Sequence, residues 1–125
     1  MSSRDEDVLR FIAGSFPSVW ALEVLLTLKG ERRVWTNPEL VERLRASELV
    51  VSKALDALVI AGLASIEAGG ALYMPVNRDV EREIDRVEQL YRSRPNAVRR
   101  AIVSAATSSA AAFADAFKLR RDSDD

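Results

Sequence analysis

Pro38–Leu63 reads PELVERLRASELVVSKALDALVIAGL. Two amphipathic helices with a tight turn between them account for this stretch. Leu40 and Leu44 are four apart and share one helix face. Val51, Leu55 and Leu58, spaced four and three, give the second helix its own apolar stripe. Ser47 stands just ahead of that helix, where its hydroxyl caps free backbone N–H groups. Gly62-Leu63 closes it. Such a pair cannot bury both apolar faces alone; it needs a third helix behind it and often a β-hairpin beside it.

The flanking sequence supplies both. Ser3-Arg4-Asp5-Glu6 has the S-x-x-E form of a capping box, and predicts a helix to about Ser15 with Val8, Phe11, Ile12 and Phe16 inward. Pro17 suits the first turn of a helix over 18–29 that is apolar almost all round and therefore central. Gly30 is expected just past its end. Trp35 lies in a short β-prone run, and Asn37 before Pro38 is the expected cap of the next helix. After Leu63 the period becomes two: Ala64, Ile66 and Ala68 alternate with Ser65 and Glu67. Gly69-Gly70 permits a two-residue turn, and Leu72, Met74 and Val76 continue on the return strand. Three helices and a hairpin make a winged helix, with Ser47–Ala61 as recognition helix and Ala64–Val76 as wing.

From Asn77 the pattern is helical again. Val80, Ile84, Val87 and Tyr91 form a narrow seam, and Ser93-Arg94-Pro95 interrupts the helix. A further helix carries Val98, Ile102 and Ala105 or Ala106, with a break expected near Thr107-Ser108-Ser109. A last one carries Phe113 and Phe117 before a charged tail. The predicted class is mainly α with a small β-hairpin: a winged helix-turn-helix domain with N-terminal helix over 1–76, and a C-terminal helical region over 77–125 for dimerisation or interaction. The expected homodimer interface is Val80, Ile84, Val87, Tyr91, Ile102, Phe113 and Phe117, because a winged helix of some sixty residues does not cover all of this apolar surface; the alternative is that some of it folds back on the Val8–Ile12 helix.

The stretch Thr36–Val76 resembles the winged helix-turn-helix regulators of the MarR, ArsR and PadR kind. Glu39, Leu40, Leu44, Ser47, Val51, Ser52, Leu55, Leu58, Gly62 and Leu63 match their common string with every spacing kept. The whole chain also looks like small winged-helix proteins of proteobacteria, a likeness that carries no activity with it. The resemblance implies a bacterial transcription regulator that binds double-stranded DNA. Base-contacting positions would fall on Glu48, Leu49, Ser52 and Lys53, with Arg45 at phosphate. Arg32 and Arg33 flank the helix, and Ser47 is both cap and candidate contact.

Charge argues for a second class of partner. The chain has 18 Lys and Arg, 19 Asp and Glu, and net charge −1. Around the supposed DNA face Arg32, Arg33, Arg43, Arg45 and Lys53 are matched by Glu39, Glu42, Glu48, Asp56 and Glu67. Affinity for phosphates rests on unmatched cations, so a protein-docking module is the alternative to a DNA regulator. Leu49, Val50 and Ile60, on or near the exposed side, point the same way.

No catalytic motif appears. The absence of Cys and His removes thiol nucleophiles, imidazole bases and nearly every transition-metal site, so no enzyme, metal or cofactor is expected. The acids over 79–88 interleave with arginines as a solvated, salt-bridged face. Trp20 and Trp35 read as core anchors, with Trp35 placed to line an effector pocket against the C-terminal helices. No apolar run is long enough to cross a bilayer and the N-terminus is polar, so a cytoplasmic protein with no membrane contact is expected.

Overall fold

The computed structural model describes residues 3–107. In chain order these form α1 (Ser3–Ser15), α2 (Val19–Gly30), α3 (Asn37–Leu44), α4 (Glu48–Ile60), β1 (Ala64–Glu67), β2 (Gly70–Tyr73) and α5 (Arg78–Ser93). A further helix, α6, covers 95–107. The architecture is mainly α with one small antiparallel sheet. Among the described residues no single helix is long and apolar enough to cross a membrane. The expected last helix with Phe113 and Phe117, the break after Thr107 and the charged tail lie outside the described residues.

Helix α2 is the centre. Ala21, Leu22, Val24, Leu25 and Leu28 are buried, and the helix packs against α3, α4 and β2. Its cap is Ser18, whose hydroxyl accepts the Ala21 N–H at 3.2 Å, so Pro17 falls before the helix rather than in its first turn. Gly30 is the last helical residue and Glu31, in extended conformation, is the cap; Gly30 needs no left-handed backbone here.

The cap of α3 is Thr36, not Asn37. Its hydroxyl accepts the Glu39 N–H at 3.2 Å, and the Glu39 carboxylate accepts the Thr36 N–H at 3.0 Å. This is the reciprocal box that a Thr with Glu three residues on allows. At the other end Arg45 turns the chain in left-handed conformation, φ 53°. Ser47 then caps α4, accepting the Val50 N–H at 3.1 Å. Val51, Ala54, Leu55 and Leu58 face α2 and close the core from this side.

The hairpin turns one residue earlier than its glycine pair suggests. Glu67 pairs with Gly70, so the loop is Ala68-Gly69, and Gly69 takes φ 88°. Moving the two-residue turn back by one slides the pairing by two residues, so that Ile66 opposes Ala71 and Ala64 opposes Tyr73. Ala71 and Tyr73 are buried, whereas Met74 and Val76, expected to continue the return strand, are exposed. The cause is Trp35, which exchanges both backbone hydrogen bonds with Ala71 at 2.8 Å. A side chain at Gly70 would meet the Trp35 carbonyl oxygen, 2.0 Å from an added Cβ, so that close approach fixes the register.

Helix α5 starts on the Asn77 cap and ends at Ser93, before Arg94-Pro95. It packs on α1. Ile84, Val87, Leu90, Val98 and Ile102 belong to the same buried cluster as Val8, Ile12 and Phe16. Polar bonds tie α5 to α2: Lys29 lies 2.8 Å from Glu88 and 3.2 Å from Asp85. The Tyr91 hydroxyl donates to Glu23 at 2.5 Å and accepts from Arg99 of α6 at 3.3 Å.

This packing corrects the expected dimer interface. Ile84, Val87 and Ile102 are at most 1% exposed within one chain, and Val80 and Tyr91 are half-buried against the same core. A second copy cannot cover side chains that α1 and the rest of this chain already cover. Phe113 and Phe117 lie outside the described residues.

Candidate interaction face

One side of α4 faces away from the core. Leu49, Ser52, Lys53, Asp56 and Ile60 lie along it, opposite the buried Val51, Leu55 and Leu58. Leu49 is 63% and Ile60 86% exposed. They stand eleven positions apart, about 16 Å along the axis. Between them, the Lys53 ammonium and the Asp56 carboxylate are in no hydrogen bond or ion pair among the described residues.

The hairpin stands beside this stripe. Ile66 is the cross-strand partner of the buried Ala71, yet is itself 59% exposed. Between α4, the start of α3 and the hairpin tip is a cleft of about 400 Å³. Leu55 lies in its wall with Pro38, Ser52, Asp56, Ile66 and Gly69. The charged residues of this wall are acidic, Asp56 and Glu67. Glu67 accepts a hydrogen bond from the Ser65 hydroxyl at 3.1 Å, leaving Asp56 as the acid of this wall without a partner among the described residues.

The expected DNA contacts divide into two groups. Arg45, Glu48, Leu49, Ser52 and Lys53 are brought together, exposed, on the α3–α4 turn and the first half of α4. Ser47 is there too, but its hydroxyl is occupied as a cap. Arg33 is not available. Its guanidinium lies 3.9 Å over the Trp35 ring and pairs with Glu39 at 2.9 Å and Glu31 at 3.2 Å. The same bond, aided by the Thr36 N–H, holds the Glu39 carboxyl down at about 2. Arg32 lies 5.1 Å over the Tyr73 ring, away from the α4 stripe. Burial pushes the Tyr73 hydroxyl up.

The tryptophans separate as well. Trp35 is a core anchor, 3% exposed, with its indole N–H donating to the Glu31 carbonyl at 2.9 Å. Trp20 is 41% exposed beside Val19, Glu23 and Leu44, contrary to the expected core role. The cleft that Trp35 lines is formed with α2 and Arg43 of α3, not with the C-terminal helices. Asp56 and Ile66 are the site residues that sequence reasoning missed. The signal for Asp56 was present, since it falls three residues after Lys53 on the outer face of α4. Ile66 carried no such signal, because its alternation marked it for the core.

No protein-family model, no curated protein and no solved structure matches this chain.

Proposed function

We propose that the chain is a winged helix-turn-helix regulator module whose outer α4 face, with the hairpin, docks on another protein. The order α2, the Trp35 bridge, α3, a three-residue turn, α4 and a hairpin supports the winged-helix reading. The observation that carries the docking reading is the α4 stripe. Two exposed aliphatic side chains, Leu49 and Ile60, bracket Lys53 and Asp56, and this side of the helix is left uncovered by the described residues. Aliphatic anchors with a mixed-charge centre suit a protein surface. They lend nothing to a phosphate backbone. Arg33, committed to Glu39 and Trp35, further thins the cations available to one.

A second reading, DNA binding, has its own observation. Arg45, Ser52 and Lys53 are exposed together at the turn and on the first half of α4, where a helix presents contacts to a major groove. A palindromic site needs two copies, and that pairing would have to use a surface other than Ile84, Val87 and Ile102.

Affinity purification of the tagged full chain from its own cells separates the readings. The docking reading expects a protein that co-purifies stoichiometrically, and that is lost on Leu49→Asp or Ile60→Asp but kept on Lys53→Ala. Retention of DNA fragments at physiological salt, weakened by Lys53→Ala and Arg45→Ala with a salt slope flattened by about one per lost contact, overturns it in favour of DNA.

A further inference from the structure

We infer that the cleft between α4 and the hairpin receives a basic side chain flanked by aliphatic residues, contributed by a segment of the protein partner. This rests on the docking reading and names the chemistry of its contact. The cleft, about 400 Å³, has room for a few side chains rather than a folded domain. Its wall combines apolar surface from Leu55, Pro38 and Ile66 with acidic residues and, among the described residues, no Lys or Arg.

Charge chooses the occupant. Asp56 sits on the cleft wall, exposed, and is in no ion pair or hydrogen bond among the described residues. Lys53, three residues earlier and on the same side of α4, makes no ion pair with it. An Arg or Lys entering beside Asp56 gains a charge-assisted contact, and its neighbours find Ile66 on the hairpin side. An acidic segment or a phosphate backbone meets Asp56 and Glu67 instead, which disfavours it at this place. The hairpin tip does not obstruct entry: Gly69 has open space where a side chain would stand.

Fluorescence anisotropy on the full chain tests this with short synthetic peptides. Each sets one Arg, one Glu or one Gln among Leu, Ile and Val. The Arg peptides are expected to bind, and the Glu peptides not. Asp56→Asn should weaken the Arg peptides at least about tenfold, and Asp56→Lys should reverse the preference toward Glu. Asp56 is exposed, so both variants should melt as the parent does. Binding that ignores the peptide's charge, or that survives Asp56→Asn unchanged, overturns the inference. Peptides lost on Ile60→Asp but not on Asp56→Asn overturn it while leaving the docking face in place. Failure of every peptide, with double-stranded DNA binding instead, overturns both.

Discussion

Val80, Ile84, Val87 and Tyr91 on α5 are spaced four, three and four along their helix, and so are Leu49, Lys53, Asp56 and Ile60 on α4. The first stripe lies against α1, with Ile84 and Val87 fully buried. The second is open to solvent at both ends. Their middle pairs account for the difference. Ile84 and Val87 gain by leaving water, whereas Lys53 and Asp56 would lose their hydration on burial within the chain. The aliphatic side chains at the ends of this charged stripe, Leu49 and Ile60, are left exposed by the described residues. The same helical arithmetic thus describes a core seam in one place and an exposed stripe in the other.

Substitutions on the two stripes should differ severalfold, and the largest effect belongs to α5. Ile84→Ala should cost about 3 kcal/mol in urea unfolding, from lost transfer energy and a cavity between α5 and α1. A loss well below 1 kcal/mol would mean that the seam is open. Leu55→Ala, on the inner side of α4, should cost a similar amount of about 2–5 kcal/mol. Gly70→Ala should follow at about 2 kcal/mol, because its methyl group would press on the Trp35 carbonyl and disturb the hairpin.

Thr36→Ala, which removes the cap of α3, should cost about 1 kcal/mol. Acid gives the same box a second readout. The folded Glu39 carboxyl titrates at about 2, against an ordinary 4.5. Its contribution is therefore full above the ordinary value, and is lost as pH falls from there through the folded one. Glu39→Gln should lower stability at neutral pH and flatten the acid limb in that window. An unchanged acid limb would show that Arg33 does not hold Glu39. The smallest effect is expected on the outer stripe, where Ile60→Ala should change stability by no more than about 0.5 kcal/mol. A large loss there would place Ile60 in a contact within the chain.

Much of this was legible in the sequence. The apolar stripes of α3 and α4, the Ser47 cap, the break at Pro95 and the inward set Val8, Ile12, Phe16, Val98 and Ile102 all follow from local spacing, which the chain carries on its face. The hairpin was legible in position but not in register. Gly69-Gly70 marks the turn, yet whether Gly70 belongs to the loop or the strand depends on Trp35, thirty-five residues earlier, pressing against it. The α3 cap moved by one residue because both Thr36 and Asn37 have capping chemistry, and Glu39 decides between them by its distance from each. The α5 seam was legible as apolar. What covers it was not, since α1 lies some seventy residues away in sequence and any second apolar face would satisfy the same pattern. Of the candidate site, the exposed half of α4 was readable from its helix period. The commitment of Arg33 to Glu39, Glu31 and Trp35 required the fold to bring them together.

The contrast between the two stripes is tested most directly by a photoreactive crosslinker in place of Ile60, in the full chain expressed in its own cells. The same group in place of Val103, exposed on α6, provides the control. Docking through α4 predicts a light-dependent adduct with one polypeptide at position 60, none at 103, and loss of the adduct when Asp56→Lys is added. An adduct with DNA at position 60, or a protein adduct that is indifferent to Asp56→Lys and equal at both positions, would contradict it.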